Sequence, residues 1–273
     1  MHPRISVNSV NVMNASLDEQ VYYWRRLAAH RVSLISPQLD NYGVAKMAEC
    51  LAQSHCSVET IVHNFFTGPL TAEPTAWQAA QAKLRERIDQ AQALGAQSIY
   101  MMTGGHGDLT WEAAAEIFCT AIQPCLAYAQ AAGVRLMIEN APAQYADLHI
   151  AHTLKDTVWL AERADIGVCI DLFFCWAEPD LQATFVRALP RCGLVQVSDY
   201  VLGDRNLPAR AVPGDGTIPL ARLIGWLISV GYQGNFDLEL IGPRIDDEDP
   251  QPATERAANV LGKILDSHAL HQM

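Results

Sequence analysis

Basic residues are scarce in this sequence: 19 Lys and Arg stand against 30 Asp and Glu, a formal net charge of −11. A surface of that sign repels nucleic acid and anionic membranes, which excludes a protein built around a broad basic face. No Cys-x-x-Cys pair occurs among the seven cysteines, at positions 50, 56, 119, 125, 169, 175 and 192. An odd number scattered in this way reads as buried, reduced thiols and suits the cytoplasm. No apolar run reaches the length of a membrane span. The opening residues, Met-His-Pro-Arg-Ile-Ser-Val, lack the apolar stretch of a secretion signal. No Gly-x-Gly-x-x-Gly follows the first predicted strand, which weakens a dinucleotide-binding reading. Linker-like and low-complexity segments are missing as well, so residues 1–273 read as a single domain. Half of the residues are hydrophobic and 18% are charged, which suits a compact chain with a sizeable core.

What is present alternates. Strand-like runs at residues 4–10, 32–36, 58–63, 98–102, 134–140, 166–171, 194–199 and 235–240 are separated by helical patterns. The helical segments are 17–30, 44–54, 75–94, 110–132, 153–164, 181–188, 218–230 and about 253–268. Ser16 with Glu19 forms a capping box before the first helix, and Gly95 is a natural residue to end the third. Pro37 stops the second strand, and the acidic stretch at 246–249 reads as a solvated turn. Strict β-α alternation calls for a parallel sheet, and eight repeats in this length predict an α/β fold, a closed (β/α)₈ TIM barrel.

Four of these strands end in groups that are costly to bury. The fifth, Val-Arg-Leu-Met-Ile-Glu-Asn, delivers Glu139; the sixth ends in Asp171; the seventh carries Gln196 and Asp199; the eighth carries Glu239. Active sites of such barrels lie at the C-terminal ends of the strands, so these groups share one arc of the mouth. Three carboxylates meeting there repel one another unless a cation joins them. Glu139, Asp171, Gln196 and Glu239 all offer oxygen, which suits one hard divalent ion, Mn²⁺ or Mg²⁺.

With these motifs, and with Pro-Gly-Asp-Gly-Thr-Ile-Pro-Leu at 213–220, the chain resembles the xylose isomerase-like TIM barrels, the sugar phosphate isomerase/epimerase superfamily. The resemblance covers nearly the whole chain. It implies that Glu139, Asp171 and Glu239 bind one divalent metal, and that Glu139 and Glu239 act as acid and base in proton transfer. The family's seventh-strand motif is usually His-x-x-Asp, and here Gln196 stands in the His position. Some dehydratases of the family, such as the 3-dehydroshikimate dehydratases, resemble this chain in that Gln. Phe174 stands where many ketose epimerases of the family have a substrate-binding His; with Phe173 and Trp176 it suggests an apolar pocket wall.

A metal that chelates a carbonyl and its neighbouring hydroxyl acidifies the adjacent C–H, so the leading expectation is a metal-dependent isomerase/epimerase acting by enolisation of a small keto-sugar or keto-polyol. The alternative is a lyase of the 3-dehydroshikimate or keto-inositol dehydratase type. More distant readings are a non-catalytic sugar- or metal-binding barrel and a nuclease, which would need more His ligands and a basic surface. His63, ending the third strand, and His106, in the loop Thr103-Gly-Gly-His-Gly-Asp108, are expected to face the mouth as catalytic candidates. That Gly-rich loop is also a candidate anion cradle. Arg210 and Arg205, in the loop after the seventh strand, are candidates for holding a substrate carboxylate or phosphate. Asp199 is expected to orient Gln196 or a neighbouring group, and His149 and His152 to be capping or surface groups. The expected partner is a sugar-like small molecule, with no nucleic acid and no membrane; the resemblance leaves a homo-oligomer open.

Overall fold

The structure, a computed structural model, describes residues 1–269. Its strands are β1 (Ile5–Asn8), β2 (Arg31–Ile35), β3 (Ser57–Asn64), β4 (Ser98–Met102), β5 (Arg135–Glu139), β6 (Gly167–Asp171), β7 (Cys192–Val197), β8 (Asp199–Tyr200), β9 (Arg210–Ala211) and β10 (Asn235–Leu238). Its α-helices are α1 (Leu17–Arg26), α2 (Ser36–Ser54), α3 (Pro74–Leu94), α4 (Trp111–Ala131), α5 (Leu154–Ala164), α6 (Leu172–Cys175), α7 (Leu181–Ala188), α8 (Leu220–Ser229), α9 (Pro243–Glu248) and α10 (Pro250–Ala269). Eight parallel strands close in the order β1-β10-β7-β6-β5-β4-β3-β2, the TIM barrel expected from the alternation. Among the described residues no helix is long and apolar enough to cross a membrane.

Local signals in the sequence do their expected work. Ser16 and Glu19 cap α1 reciprocally, with Ser16 N–H donating to Glu19 Oε2 at 2.8 Å. Gly95 ends α3 in the left-handed region. All seven cysteines are buried and unpaired. Three departures bear on the site. Pro37 opens a helix instead of merely stopping a strand: it lies in the first turn of α2, which then breaks at Gly43 (φ 73°, ψ 162°). The acidic stretch faces solvent as expected, yet it forms the second half of α9, with Asp249 as its C-cap, and not a turn. The loop after β7 pairs with itself, β8 against β9 antiparallel, with Tyr200 opposite Arg210.

The barrel floor is tightly filled. Val62, Tyr100, Met137, Cys169 and Leu194 pack together inside the ring. Met137 lies close to glycines of the next two strands, β6 and β7: a Cβ at Gly167 would sit 2.8 Å from its Cγ, and one at Gly193 would collide with its sulfur. Overpacking of this kind costs about 1–3 kcal/mol. Gly193→Ala should destabilise by about that amount, and adding Met137→Val should recover part of it. A double-mutant cycle from urea unfolding measures both terms; simple additivity would show that the two sites are not in contact.

Candidate functional site

Glu139 and Asp171 are the last residues of β5 and β6, Gln196 is the next to last of β7, and Glu239 follows β10 directly. The register places Asp171 beside Gln196, and Gln196 beside Asp237 two residues before Glu239. These strand ends therefore converge as the sequence led us to expect. Gln196 Nε2 donates to Tyr100 Oη (3.0 Å) and, closer still, to Glu239 Oε2. Tyr100 Oη in turn donates to Glu239 Oε2 at 3.4 Å. One layer deeper, Asp237 accepts from Ser6 (2.6 Å), Ser33 (2.7 Å) and Asn8 (2.9 Å). Tyr100, Asn8 and Asp237 were missed in the sequence. Asn8 and Tyr100 lie on earlier strands, away from the arc of acids, and Asp237 drew no notice beside Glu239.

Arg210 enters this cluster from β9. Its Nη2 lies 2.6 Å from Asp171 Oδ2 and 2.9 Å from Glu239 Oε1, and its Nη1 donates to Ser198 Oγ at 3.0 Å. The guanidinium carbon is 4.9 Å from the ring centres of both Phe173 and Phe174, so it rests against this edge-to-face aromatic pair. Burial works against its charge, and Asp171 and Glu239 overcome that, raising its pKa above the ordinary arginine value. Glu139 is treated differently. Its carboxyl group makes no hydrogen bond or ion pair among the described residues, and burial, helped by Glu239 and Asp171, lifts its pKa well above the usual range. Burial also lifts Glu239, to about 7, with Arg210 opposing. The two glutamates thus differ: burial disfavours the charged form of Glu139, which has no partner, while Glu239 is anchored by a cation and two neutral donors.

Above the cluster opens a cavity of about 250 Å³, lined by Glu139, Glu239, Arg210, Tyr145, Phe173 and Phe174 among others. That is small for a ligand site and suits a molecule of few heavy atoms. Phe174 forms the expected aromatic wall, set edge-on against Tyr145. Trp176 and the exposed Arg205 do not line this cavity; they border an outer recess with Tyr200 and Asp204.

Other expectations are corrected. His63 does not face the mouth: Val62 points into the barrel, and His63 points out beneath the helices, with Ser36 Oγ 3.3 Å from its Nδ1. Burial, with Arg87 and Lys83 nearby, lowers its pKa to about 4. His106 is half-buried in its loop, its Nδ1 3.1 Å from Leu109 O, and lies outside the cavity lining. The Gly-rich loop has no open anion cradle at Gly104, whose N–H donates to Leu148 O at 2.9 Å. Its glycines serve close packing instead: Cβ atoms at Gly104 and Gly105 would run into Phe66 and the Asp147 carbonyl, each at 2.6 Å. Asp199 does not orient Gln196. Its carboxylate accepts from the backbone N–H groups of Tyr200 (2.8 Å), Gly214 (2.9 Å), Gly216 (3.1 Å) and Ile218 (2.9 Å). It is the knot that ties down the loop carrying Arg210.

His149 is no surface group but fully buried. Its Nδ1 accepts from Thr103 N–H at 3.0 Å, and its Nε2 donates to Glu139 O at 2.7 Å, linking the ends of β4 and β5. Burial pushes its pKa down from 6.5 to about 4. Between those values the unfolded chain holds a proton that the folded chain does not. Stability is therefore lost as pH falls through this window, by about 1.4 kcal/mol per pH unit for this group. His149→Gln should be less stable at pH 7 yet show a shallower acid slope from about 6.5 to 4. Urea unfolding at a series of pH values reads the difference; parallel curves would count against a neutral His149.

The expected metal ligands can be tested against this geometry. Among the described residues no three His, Cys, Asp or Glu side chains are grouped to hold a metal ion. Gln196 turns its amide nitrogen to Glu239, and its oxygen accepts from Cys169 Sγ at 3.3 Å. The opposite amide orientation would set oxygen against a carboxylate oxygen. Arg210 Nη2 bridges Asp171 and Glu239 where a shared cation would have to sit. So arranged, Glu139, Asp171, Gln196 and Glu239 do not fit a divalent ion.

A barrel with this mouth belongs to a known class. A family model described as xylose isomerase-like TIM barrel matches residues 22–264, and the chain belongs to that family. A search of curated proteins gave no match. Among solved structures, a Sinorhizobium meliloti protein superposes with a TM-score of 0.84 at 21% identity, covering 94% of this chain and 96% of its own. The IolI protein with a bound zinc atom superposes at 0.82 and 12% identity, over 97% and 99% of the two chains. A D-psicose 3-epimerase from Clostridium cellulolyticum, solved with D-tagatose, superposes at 0.78 and 14%, over 98% of each. At these identities the likeness is one of fold.

Proposed function

We propose that the chain is an enzyme that moves a proton next to a carbonyl group in a small polyhydroxylated substrate, an isomerase or epimerase of keto-sugars or keto-polyols. The observation that carries this reading is the pair of unlike glutamates on one small cavity: Glu139 buried and unpartnered, Glu239 held by Arg210 and Gln196. Two carboxyl groups whose surroundings separate their roles are the usual mark of an acid and a base. Glu239, with a pKa near 7, accepts the α-proton. Glu139 returns a proton to the other face of the enediol or to the neighbouring carbon. N–H groups of Arg210 meet the charge that develops on the carbonyl oxygen. The family supports the reading, as does an epimerase neighbour with a monosaccharide.

A second reading rests on the aromatic wall. Phe173, Phe174 and Tyr145 crowd the cavity beside Glu139, where an acid that protonates a departing β-hydroxyl would release water. That is a dehydratase on the same cluster. Incubation in D₂O with ketoses, keto-polyols, 3-keto-glycosides and 3-dehydroshikimate, followed by NMR, separates the two. Deuterium α to the carbonyl without loss of water supports the isomerase; loss of water supports the lyase. An absence of both across the panel counts against either.

A further inference from the structure

We infer that the guanidinium of Arg210 is the resident cation of the strand-end carboxylates, standing where a divalent metal would otherwise bind. One nitrogen, Nη2, reaches the carboxylates of β6 and of the residue after β10 together, at 2.6 and 2.9 Å. A divalent ion shared by the same two groups would occupy that bridging point, at metal–oxygen distances of about 2.0–2.2 Å. The two cannot be there together. The guanidinium is also not a loose surface group that a metal could push aside at little cost. Its side chain is 3% exposed and packs against the rings of Phe173 and Phe174, with Ser198 fixing Nη1. Its backbone is pinned on both sides, in the ribbon with Tyr200 and by its own N–H to Ile241 O (3.2 Å). Gln196 completes the arrangement. An arginine-centred cluster needs a donor toward the second oxygen of Glu239, and the amide nitrogen supplies one where a fourth metal ligand would have to present a lone pair.

The chemical consequence concerns the substrate oxygen. A guanidinium offers N–H donors in a fixed plane, and Nε has no protein acceptor among the described residues while Arg210 lines the cavity. An oxyanion formed on a carbonyl is then met by hydrogen bonds. This consequence rests on the proposed proton transfer; the identity of the cation does not.

Mn²⁺ binding followed by electron paramagnetic resonance needs no substrate, so its outcome is independent of the proposed reaction. The wild-type protein, stripped with EDTA, should show no stoichiometric Mn²⁺ site and no change in melting temperature on adding Mn²⁺, Mg²⁺ or Zn²⁺. Arg210→Ala takes the counter-charge from Asp171 and Glu239, beside Glu139, and should gain Mn²⁺ affinity by roughly 100-fold. Arg210→Lys, which keeps a charge, should not. Where Arg210→Ala fails to fold, Arg210→Gln replaces it and carries the same expected gain. One tightly bound equivalent in the wild type, or a neutral variant that folds and gains nothing, would overturn the inference. Should a substrate be found by deuterium exchange, EDTA-treated wild type should keep its full rate; loss of rate that Mn²⁺ restores would also overturn it. An absence of exchange with every substrate bears on the proposed reaction and leaves the Mn²⁺ result standing.

Discussion

Glu139→Gln should lower deuterium exchange into substrate by roughly 10³-fold while leaving the fold intact, because the change removes a proton-transfer group and little else. The usual objection to such a variant is that it alters buried charge. Here that objection is weak. Burial disfavours the charged form of Glu139, and the variant puts a neutral amide of the same shape in its place. A carboxyl group whose folded pKa lies above its ordinary 4.5 binds a proton in the folded chain that the unfolded chain has released, so stability falls as pH rises through that interval. The Gln variant escapes that loss. Its stability relative to wild type should increase from about pH 4.5 upward, whereas breaking an ion pair would produce the opposite trend. Exchange rates and urea midpoints measured on the same samples separate chemistry from folding. A variant that still exchanges substrate at the wild-type rate would remove Glu139 from the mechanism and leave the assignment of the site wrong.

The second large effect is expected at a residue outside the lining of the cavity above the cluster. Asp199→Ala takes the acceptor from the backbone N–H groups of Tyr200, Gly214, Gly216 and Ile218. Hydrogen bonds to a charged acceptor contribute about 1.5–3 kcal/mol each and do not add fully, so a total near 4 kcal/mol is reasonable. In a chain of this size that corresponds to a fall of about 10 °C in melting temperature. The kinetic effect comes from the loop that this knot holds. With β8 and β9 no longer pinned, Arg210 loses its fixed approach to Asp171 and Glu239. A displacement of about 1 Å in a positioning group costs on the order of 10²-fold in rate. Asp199→Asn keeps one carbonyl oxygen and should fall between the two. Calorimetry with exchange kinetics tests the pair of effects; a melting temperature within a degree or two of wild type would show that the loop is held by other means.

The arc of strand-end acids was legible because each costly group sat at the end of a short apolar run. The alternation that predicts the barrel was legible for a related reason: the strands are buried on both sides and read as nearly continuous hydrophobic stretches. The same property hid the direction of individual side chains. With no polar face to mark the outside, nothing in Thr-Ile-Val-His-Asn shows that Val62 points in and His63 out. Arg210 was noticed as a loop cation, yet its partners lie on β6 and after β10, and no local spacing connects them. His149 looked like a surface residue because it precedes a helix. Its burial depends on how the segment after β5 folds back over Thr103, a contact between distant parts of the chain.

The buried cysteines noted with the fold have a use of their own. Cys169 lies inside the barrel, Cys125 on α4 and Cys175 on α6, and none has a solvent-accessible face. A thiol reagent therefore reacts only with molecules that have opened, and the rate at each position reports the opening of that region alone. Three parts of one chain carry natural clocks, with no label to introduce. Read by mass spectrometry, they would tell whether the helical shell loosens before the ring of strands parts, or whether the protein opens all at once.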